Sequence, residues 1–286
     1  MKTDHEDLYQ YKPYLFTIAY NMVGEVPVAE DLVQDTFEKW LRSDTEKVRE
    51  MKPYLSRILI NKAIDKLEQL NKERETYKGL WLPEPLAADE HNNEEYSVDY
   101  AMMFLLGKLN PYERAVFILK EVFSFSHDEV SETLKLTSAN CRQILHRAKD
   151  KLRSPHTKTT SDLQSQQQLL NAFLHAVYHK EFDRLKSIFI NDIVMYQDGG
   201  GKIAAALKPI AGFEKIVKFL DAIMDLDPQA VFDIKPLIVN GTAAVLLLRN
   251  NHPDTLITID TEQDKISKLF FVRNPDKISG LNLVTF

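Results

Sequence analysis

Apolar residues recur at helical spacing through the first seventy positions. Leu8, Leu15, Ile18, Ala19 and Met22 fall on one face and predict a helix ending near Gly24. Pro27 opens a second helix in which Val33, Phe37, Trp40 and Leu41 share a face, with Glu30, Asp31, Gln34, Asp35 and Glu38 opposite. Pro53 opens a third, with Leu55, Ile58, Leu59, Ala63 and Leu67 inward and Arg57, Asn61, Lys62, Asp65 and Lys66 outward. Taken alone, three such helices predict no more than a bundle.

A sharper pattern runs from Asn110 to Arg153. Asn110, Pro111 and Glu113 form a capping-box start, followed by Ala115, Ile118, Leu119 and Val122 on one face. Ser126 and Glu129 repeat the capping spacing, and Val130 and Leu134 supply the buried side. Lys135, Leu136 and Thr137 break the period before a further helix begins at Ser138. In that helix Cys141, Leu145, Ala148 and Leu152 form one stripe, which leaves Ser138, Asn140, Arg142, Gln143, His146, Arg147, Lys149 and Arg153 on polar faces. Short helix, capped turn and basic helix together predict a helix-turn-helix whose second helix bonds phosphates or base edges in a major groove.

Between these blocks, KGLWLPEPLAADEHNNEEYSVDYA has no sustained period before Tyr100 and predicts an extended linker, with Trp81 as a local anchor or a docking residue. A second polar stretch, SPHTKTTSDLQSQQQ, precedes a change of composition near Leu169. There LLNAFLHAVYHKEFDRLKSIF and GFEKIVKFLDAIMDL read as helices and DIVMYQ as a short strand continued by IAAAL. Four β-rich runs follow, around Val231 to Val239, Ala243 to Arg249, Thr255 to Asp260 and Ile266 to Val272, with Asn240 and Gly241 as a tight hairpin. Asp198, Gly199, Gly200, Gly201 and Lys202 punctuate this block. Three glycines accept positive φ, so a hairpin loop is the modest reading and an anion-binding nest helped by Lys202 the stronger one.

Charge and cysteine usage bound the function. The 286 residues carry a formal net charge of -6, which looks wrong for a nucleic-acid binder until its distribution is considered. Lys135, Arg142, Arg147, Lys149, Lys151, Arg153 and Lys158 cluster around the last helix of the motif, opposed only by Asp150. Glu84, Asp89, Glu90, Glu94, Glu95 and Asp99 concentrate the acid in the linker. The single cysteine, Cys141, excludes an internal disulfide framework and sits on the buried stripe. No secretion signal and no membrane span is evident, so a cytoplasmic protein is expected.

The order AEDLVQDTFEKW, KPYLSRILINKAIDKL and then ILHRAKDKLR resembles the extracytoplasmic-function (ECF) group of bacterial RNA polymerase sigma factors. The resemblance implies that the helix bearing Asp31, Gln34, Asp35 and Glu38 docks core RNA polymerase. It implies that Arg57, Asn61, Lys62, Asp65 and Lys66 contact the melting downstream promoter element, and that Ser138, Asn140, Arg142, Gln143, His146, Arg147 and Lys149 read the upstream one. Ile144 stands where a polar reader is expected. Helices followed by a curved antiparallel sheet resemble the SnoaL-like members of the nuclear-transport-factor-like (NTF2-like) cone fold, and WLPEP with DGGGK marks one subgroup of these sigma factors. It implies regulation in cis, through Trp81, Leu82, Pro83, Glu84 and Pro85 and through Asp198 to Lys202, without a separate anti-sigma protein.

The expected architecture is multidomain: two all-α sigma domains followed by an α+β cone. A region 2 domain covers 1–76, a linker 77–99, a region 4 helix-turn-helix 100–154, a second linker 155–168 and the cone 169–286. Core polymerase and promoter DNA are the expected partners, no cofactor or metal is expected, and the cone is a candidate to hold a small-molecule ligand. Two rival functions come from other classes. A cone-domain enzyme would use His175, Tyr178, His179 and Asp198 as acid and base, although His175 and His179 lack the Glu of a metalloprotease motif. A one-component ligand-sensing regulator would leave AEDLVQDTFEKW without a role.

Overall fold

The computed structural model describes residues 8–44, 48, 50–87, 96, 98–152, 161–227 and 230–283. The acidic run 89–95 and the polar stretch 153–160, with Arg153 and Lys158, lie outside the described residues. The described residues form two compact units. One takes the chain to Glu75, then Tyr96, Val98 and 102–152; the other takes 76–87, 99–101 and 161–283.

In the first unit α1 (Lys12–Val23), α2 (Val26–Arg42) and α3 (Met51–Arg74) pack together. Gly24, at φ +74, closes α1 by donating its N–H to the Tyr20 carbonyl, the left-handed stop that only glycine adopts without strain. Residues Tyr14 to Val23 are all buried, so α1 is the centre of the bundle rather than one of its amphipathic walls. On α2 the buried stripe is Ala29, Leu32, Val33, Thr36 and Trp40; Phe37 is half-buried and Leu41 is 53% exposed, contrary to the sequence expectation. One step of about 100° beyond Trp40 carries Leu41 off the stripe. On α3 the five predicted inward residues are buried, and so are Ser56, Ile60, Ile64 and Leu70, because α1 and α2 cover one side while helices of the next motif cover another.

Both predicted capping boxes form. α5 (Pro111–Phe117) starts at Asn110, whose side chain accepts from the Glu113 N–H while Glu113 accepts from the Asn110 N–H; it follows the short α4 (Tyr100–Leu106). Ser126 and Glu129 do the same for α6 (His127–Leu134). A π-helical turn over Ile118–Val122 separates them, and Lys135, at φ +53, ends α6 before α7 (Ser138–Leu152). On α7 the buried residues are Cys141, Ile144, Leu145 and Ala148. Ile144 is therefore a core residue and not part of the polar face of α7.

In the second unit α8 (Leu163–Tyr178) and α9 (Phe182–Ile188) replace the single helix expected there, because Lys180 takes a left-handed conformation at φ +55. They pack with α10 (Phe213–Leu226) over a sheet of β1 (Phe189–Asp198), β2 (Ile210–Ala211), β3 (Asp233–Val239), β4 (Thr242–Arg249), β5 (His252–Glu262) and β6 (Lys265–Val272). The order is β2-β1-β6-β5-β4-β3, antiparallel except where β1 runs parallel to β6. The predicted IAAAL continuation is irregular instead, and β2 lies beyond it. Asn240 and Gly241, at φ +50 and +65, make the predicted hairpin with both central residues left-handed. Phe173, Phe189, Ile216, Leu220, Ile257, Leu269 and Phe271 fill the core between helices and sheet, so the unit expected to be a cone is of the α+β class. A last short helix, α11 (Pro275–Ile278), is capped by the Asn274 side chain, which accepts from the Asp276 N–H.

Candidate functional site

The expected polymerase-facing residues share one side of α2. Asp31, Gln34 and Asp35 are exposed, and Glu38 is half-buried and paired with Arg42 at 3.2 Å. Asp35 also holds the Lys62 ammonium of α3 at 2.7 Å. On α7, Arg142, Gln143, His146, Arg147 and Lys149 are exposed together, while Ser138 and Asn140 are half-buried in its first turn. Ser138 donates its hydroxyl to Asp128, His146 lies 2.8 Å from Asp150, and Lys149 lies 2.8 Å from Glu121.

The outward face of α3 is less open. Asp65 is exposed and Lys66 half-buried, but Arg57 lies 3.8 Å from Glu132 of α6, and the Asn61 amide donates to the Thr133 carbonyl at 3.3 Å. Beside these contacts is a cleft of about 580 Å³ lined by Tyr14, Tyr54, Arg57, Tyr96, Phe123 and Glu132 among others. Tyr96 stacks on Phe123 with ring centroids 4.7 Å apart, and Tyr14 meets Phe123 edge-on. Arg114 of α5 is fully buried and donates its Nε–H to the Asn21 carbonyl at 2.9 Å, near the end of α1. Burial and then the neighbouring Arg74 hold its guanidinium well below its ordinary pKa.

A dense polar constellation in the second unit joins the two motifs singled out in the sequence. Asp198, at the end of β1, is wholly buried and its carboxylate accepts four hydrogen bonds. Oδ1 takes the Tyr77 hydroxyl at 2.6 Å and the Gly200 N–H at 2.9 Å; Oδ2 takes the Leu82 N–H at 3.0 Å and the Lys277 ammonium at 2.7 Å. Lys277, from α11, also donates to the Leu82 carbonyl and sits over the Trp81 ring, 4.4 Å from its centroid. Asn274 donates to the Tyr77 hydroxyl at 3.0 Å. Burial, and then the bond to Asp198, push the Tyr77 phenol well above its ordinary pKa, so it remains a donor.

The described linker residues to Ala87 make further contacts with this unit. Leu82 is fully buried, the Pro83 carbonyl accepts the Tyr100 hydroxyl at 2.8 Å, and Tyr100 packs edge-on against Phe270. Leu86 and Asn240 exchange hydrogen bonds of 3.0 and 2.8 Å, and Ala87 bridges to Val239. Residues 80–87 of the linker run without helix or turn, because the backbone groups of Leu82 and Leu86 bond to the cone instead of to one another.

The glycine loop serves close approach. A Cβ at Gly200 would lie 2.5 Å from the Asn274 side chain, and one at Gly201 would lie 3.1 Å from that of Lys78. The Gly200 N–H, part of the expected anion nest, is already given to the carboxylate of Asp198, and Lys202 pairs with Asp276 at 2.6 Å. Asp198 is thus the loop's own anion. The rings of His175 and His179, at the C-terminal end of α8, lie tilted with centroids 4.3 Å apart, and His175 faces Glu181 at 3.4 Å. Sequence reasoning missed Tyr77, Tyr100, Asn274 and Lys277. The Asn274-Pro275 pair was the available signal, an N-cap followed by proline that announces a helix after β6.

The sigma-70 region 2 family matches residues 4–73 and the sigma-70 region 4 family matches residues 100–152. The chain is similar to the ECF RNA polymerase sigma factor SigJ of Mycobacterium tuberculosis, with 25% identity over 285 residues, 94% of this chain and 91% of that one. Similarity to the ECF RNA polymerase sigma factor SigW of Bacillus subtilis, 26% over 155 residues, covers 50% of this chain and 83% of that one. The crystal structure of Mycobacterium tuberculosis SigJ shares the fold with a TM-score of 0.76 at 24% identity, covering 97% of this chain and 99% of that one.

Proposed function

The chain belongs to the ECF group of RNA polymerase sigma factors, and we propose that its cone regulates promoter-directed initiation in cis by gripping the linker. A sigma factor binds core polymerase and directs it to promoters, which gives the helical unit its task. Asp31, Gln34, Asp35 and Glu38 offer an acidic surface to a basic polymerase element. Arg57, Asn61, Lys62, Asp65 and Lys66 contact the melted downstream element, and Ser138, Asn140, Arg142, Gln143, His146, Arg147 and Lys149 the duplex upstream element.

The observation that carries the regulatory part is the buried Asp198 carboxylate, which takes donors from the linker at Tyr77 and Leu82 and from α11 at Lys277. In the segment that connects the two promoter-reading modules Leu82, Pro83, Pro85 and Ala87 are buried, and Leu82 and Leu86 bond the cone through their backbones. Releasing it costs the hydrogen bonds of a buried charge, so any ligand, partner or polymerase surface that binds the released linker better shifts the population toward it.

Transcription by purified core polymerase tests this with the full chain, the Asp198→Asn variant and a chain stopped near Ser154. Changed promoter output in both altered chains, with unchanged duplex affinity of α7, supports control through the linker. Equal output from all three removes it.

A further inference from the structure

We infer that the cavity between linker residues 78–80 and the glycine loop is a binding site for a small organic carboxylate, whose charge Lys78 and Gln197 hold. The cavity measures about 310 Å³, at the lower end of the roughly 300–1,000 Å³ of small-molecule sites. Lys78, Gly79 and Leu80 line one side of it and the loop that ends at Leu207 lines the other. Gln197, from β1, also lines it and is only 3% exposed. Its carboxamide oxygen accepts the Ala206 N–H at 2.9 Å, but its nitrogen, which carries two hydrogens, meets only the Met195 sulfur at 3.9 Å. At least one N–H of an enclosed side chain is therefore unspent. Leaving it so costs free energy that an acceptor placed in the cavity would recover.

The rim supplies the cation. Lys202 is taken by Asp276, whose oxygens lie 2.6 and 2.7 Å from its ammonium. Lys78 is exposed and makes no ion pair among the described residues, and its stem runs along Gly201. Of these three charges, that of Lys78 alone is uncompensated. The remaining walls offer carbon: Ile203 and Leu207 are 38% and 62% exposed, apolar surface that a short hydrocarbon body would cover. An anionic acceptor at Lys78 and Gln197 with a compact apolar body beside Ile203 and Leu207 is the chemistry of a monocarboxylic acid. The Gly200 N–H takes no part, since Asp198 holds it. Because linker and loop both line the cavity, a bound acid favours the docked linker, and any effect on initiation rests on the control proposed above.

Saturation-transfer NMR on the full-length chain tests the site, with benzoate and hexanoate as probes and benzamide and hexylamine as their uncharged and cationic counterparts. The acids should bind with a Kd of about 1 mM or tighter, and about tenfold more tightly than the counterparts. Lys78→Met should weaken benzoate about fivefold or more. Gln197→Leu, which keeps the bulk without the donor, should weaken it similarly. Lys186→Met, the same loss of charge on α9, should leave it unchanged. No transfer to either acid, or binding that the amide and amine share, shows a cavity for water alone and overturns the inference. Acid binding that Lys78→Met or Gln197→Leu leaves intact overturns it too. Acid binding with the expected variant pattern, together with unchanged promoter output from Asp198→Asn, supports the site and removes only the control through the linker.

Discussion

The carboxylate of Asp198 and the ammonium of Lys277 meet at 2.7 Å, with side-chain exposures of 0% and 8%. A pair so closed off contributes little over an apolar contact of the same shape, but losing one partner leaves the other charge stranded. Here the stranded charge would also lose its hold on the linker, because Oδ2 of Asp198 and Nζ of Lys277 bond the N–H and the carbonyl of the same residue, Leu82.

Asp198→Asn should therefore destabilise the second unit by about 3–5 kcal/mol, and Lys277→Met by a similar amount, whereas the double variant should recover part of the loss. Urea unfolding followed by Trp81 fluorescence measures it, since the Trp81 ring lies under Lys277. Additive losses in the double variant would show that the two residues act independently.

Gly200 and Gly241 share nearly the same backbone, at φ +63 and +65, but not the same surroundings. A Cβ at Gly241 meets nothing within 4 Å, so Gly241→Ala should cost only the strain of a left-handed alanine, about 1 kcal/mol. At Gly200 the same atom would press on Asn274, which caps α11 and bonds Tyr77, and the loss should reach about 2–4 kcal/mol. Thermal unfolding of the two variants side by side separates conformational strain from lost room.

Periodicity made the helical half legible where a helix buries one face, as α2 and α7 do, and where its start is written in side chains. Asn110 with Glu113 and Ser126 with Glu129 place two helix starts from four residues. It failed where burial is not one-sided: α1 is enclosed all round, and α3 is covered on more than one side, so the outward positions of Arg57 and Asn61 gave no sign of their contacts with Glu132 and Thr133 of α6. WLPEP and DGGGK were recognisable as motifs, but nothing local to either announces that Asp198 reaches Leu82, 116 residues away. Lys277 was invisible for the same reason, a lysine after the last strand having no pattern that distinguishes a buried ion pair from a solvated surface.

Ile144 decides between packing and recognition on α7. It is 7% exposed, beside Cys141, Leu145 and Ala148. Ile144→Ala should then destabilise the helix-turn-helix by about 2–4 kcal/mol while leaving the preferred upstream element unchanged. Arg142→Ala or Gln143→Ala, on the exposed face, should do the reverse. Selection of binding sites from random duplexes reads preference, and thermal unfolding reads stability.

Glu113 links that motif to pH. Burial pushes its carboxyl up, but the bond from the Lys151 ammonium at 2.7 Å, the Asn110 N–H and the nearby positive charges outweigh it, and the pKa falls below the ordinary 4.5. A carboxyl with a lowered folded pKa binds fewer protons folded than unfolded. Its stabilisation is thus fully present above about pH 4.5 and is lost as the pH falls through the folded value. Glu113→Gln keeps an acceptor for the Asn110 N–H but loses the charge facing Lys151. It should cost about 1–2 kcal/mol at neutral pH and flatten the acid limb of the stability profile. If parent and variant lose stability in parallel from pH 6 to pH 3, the cap works without its charge and the Lys151 pair adds nothing to the fold.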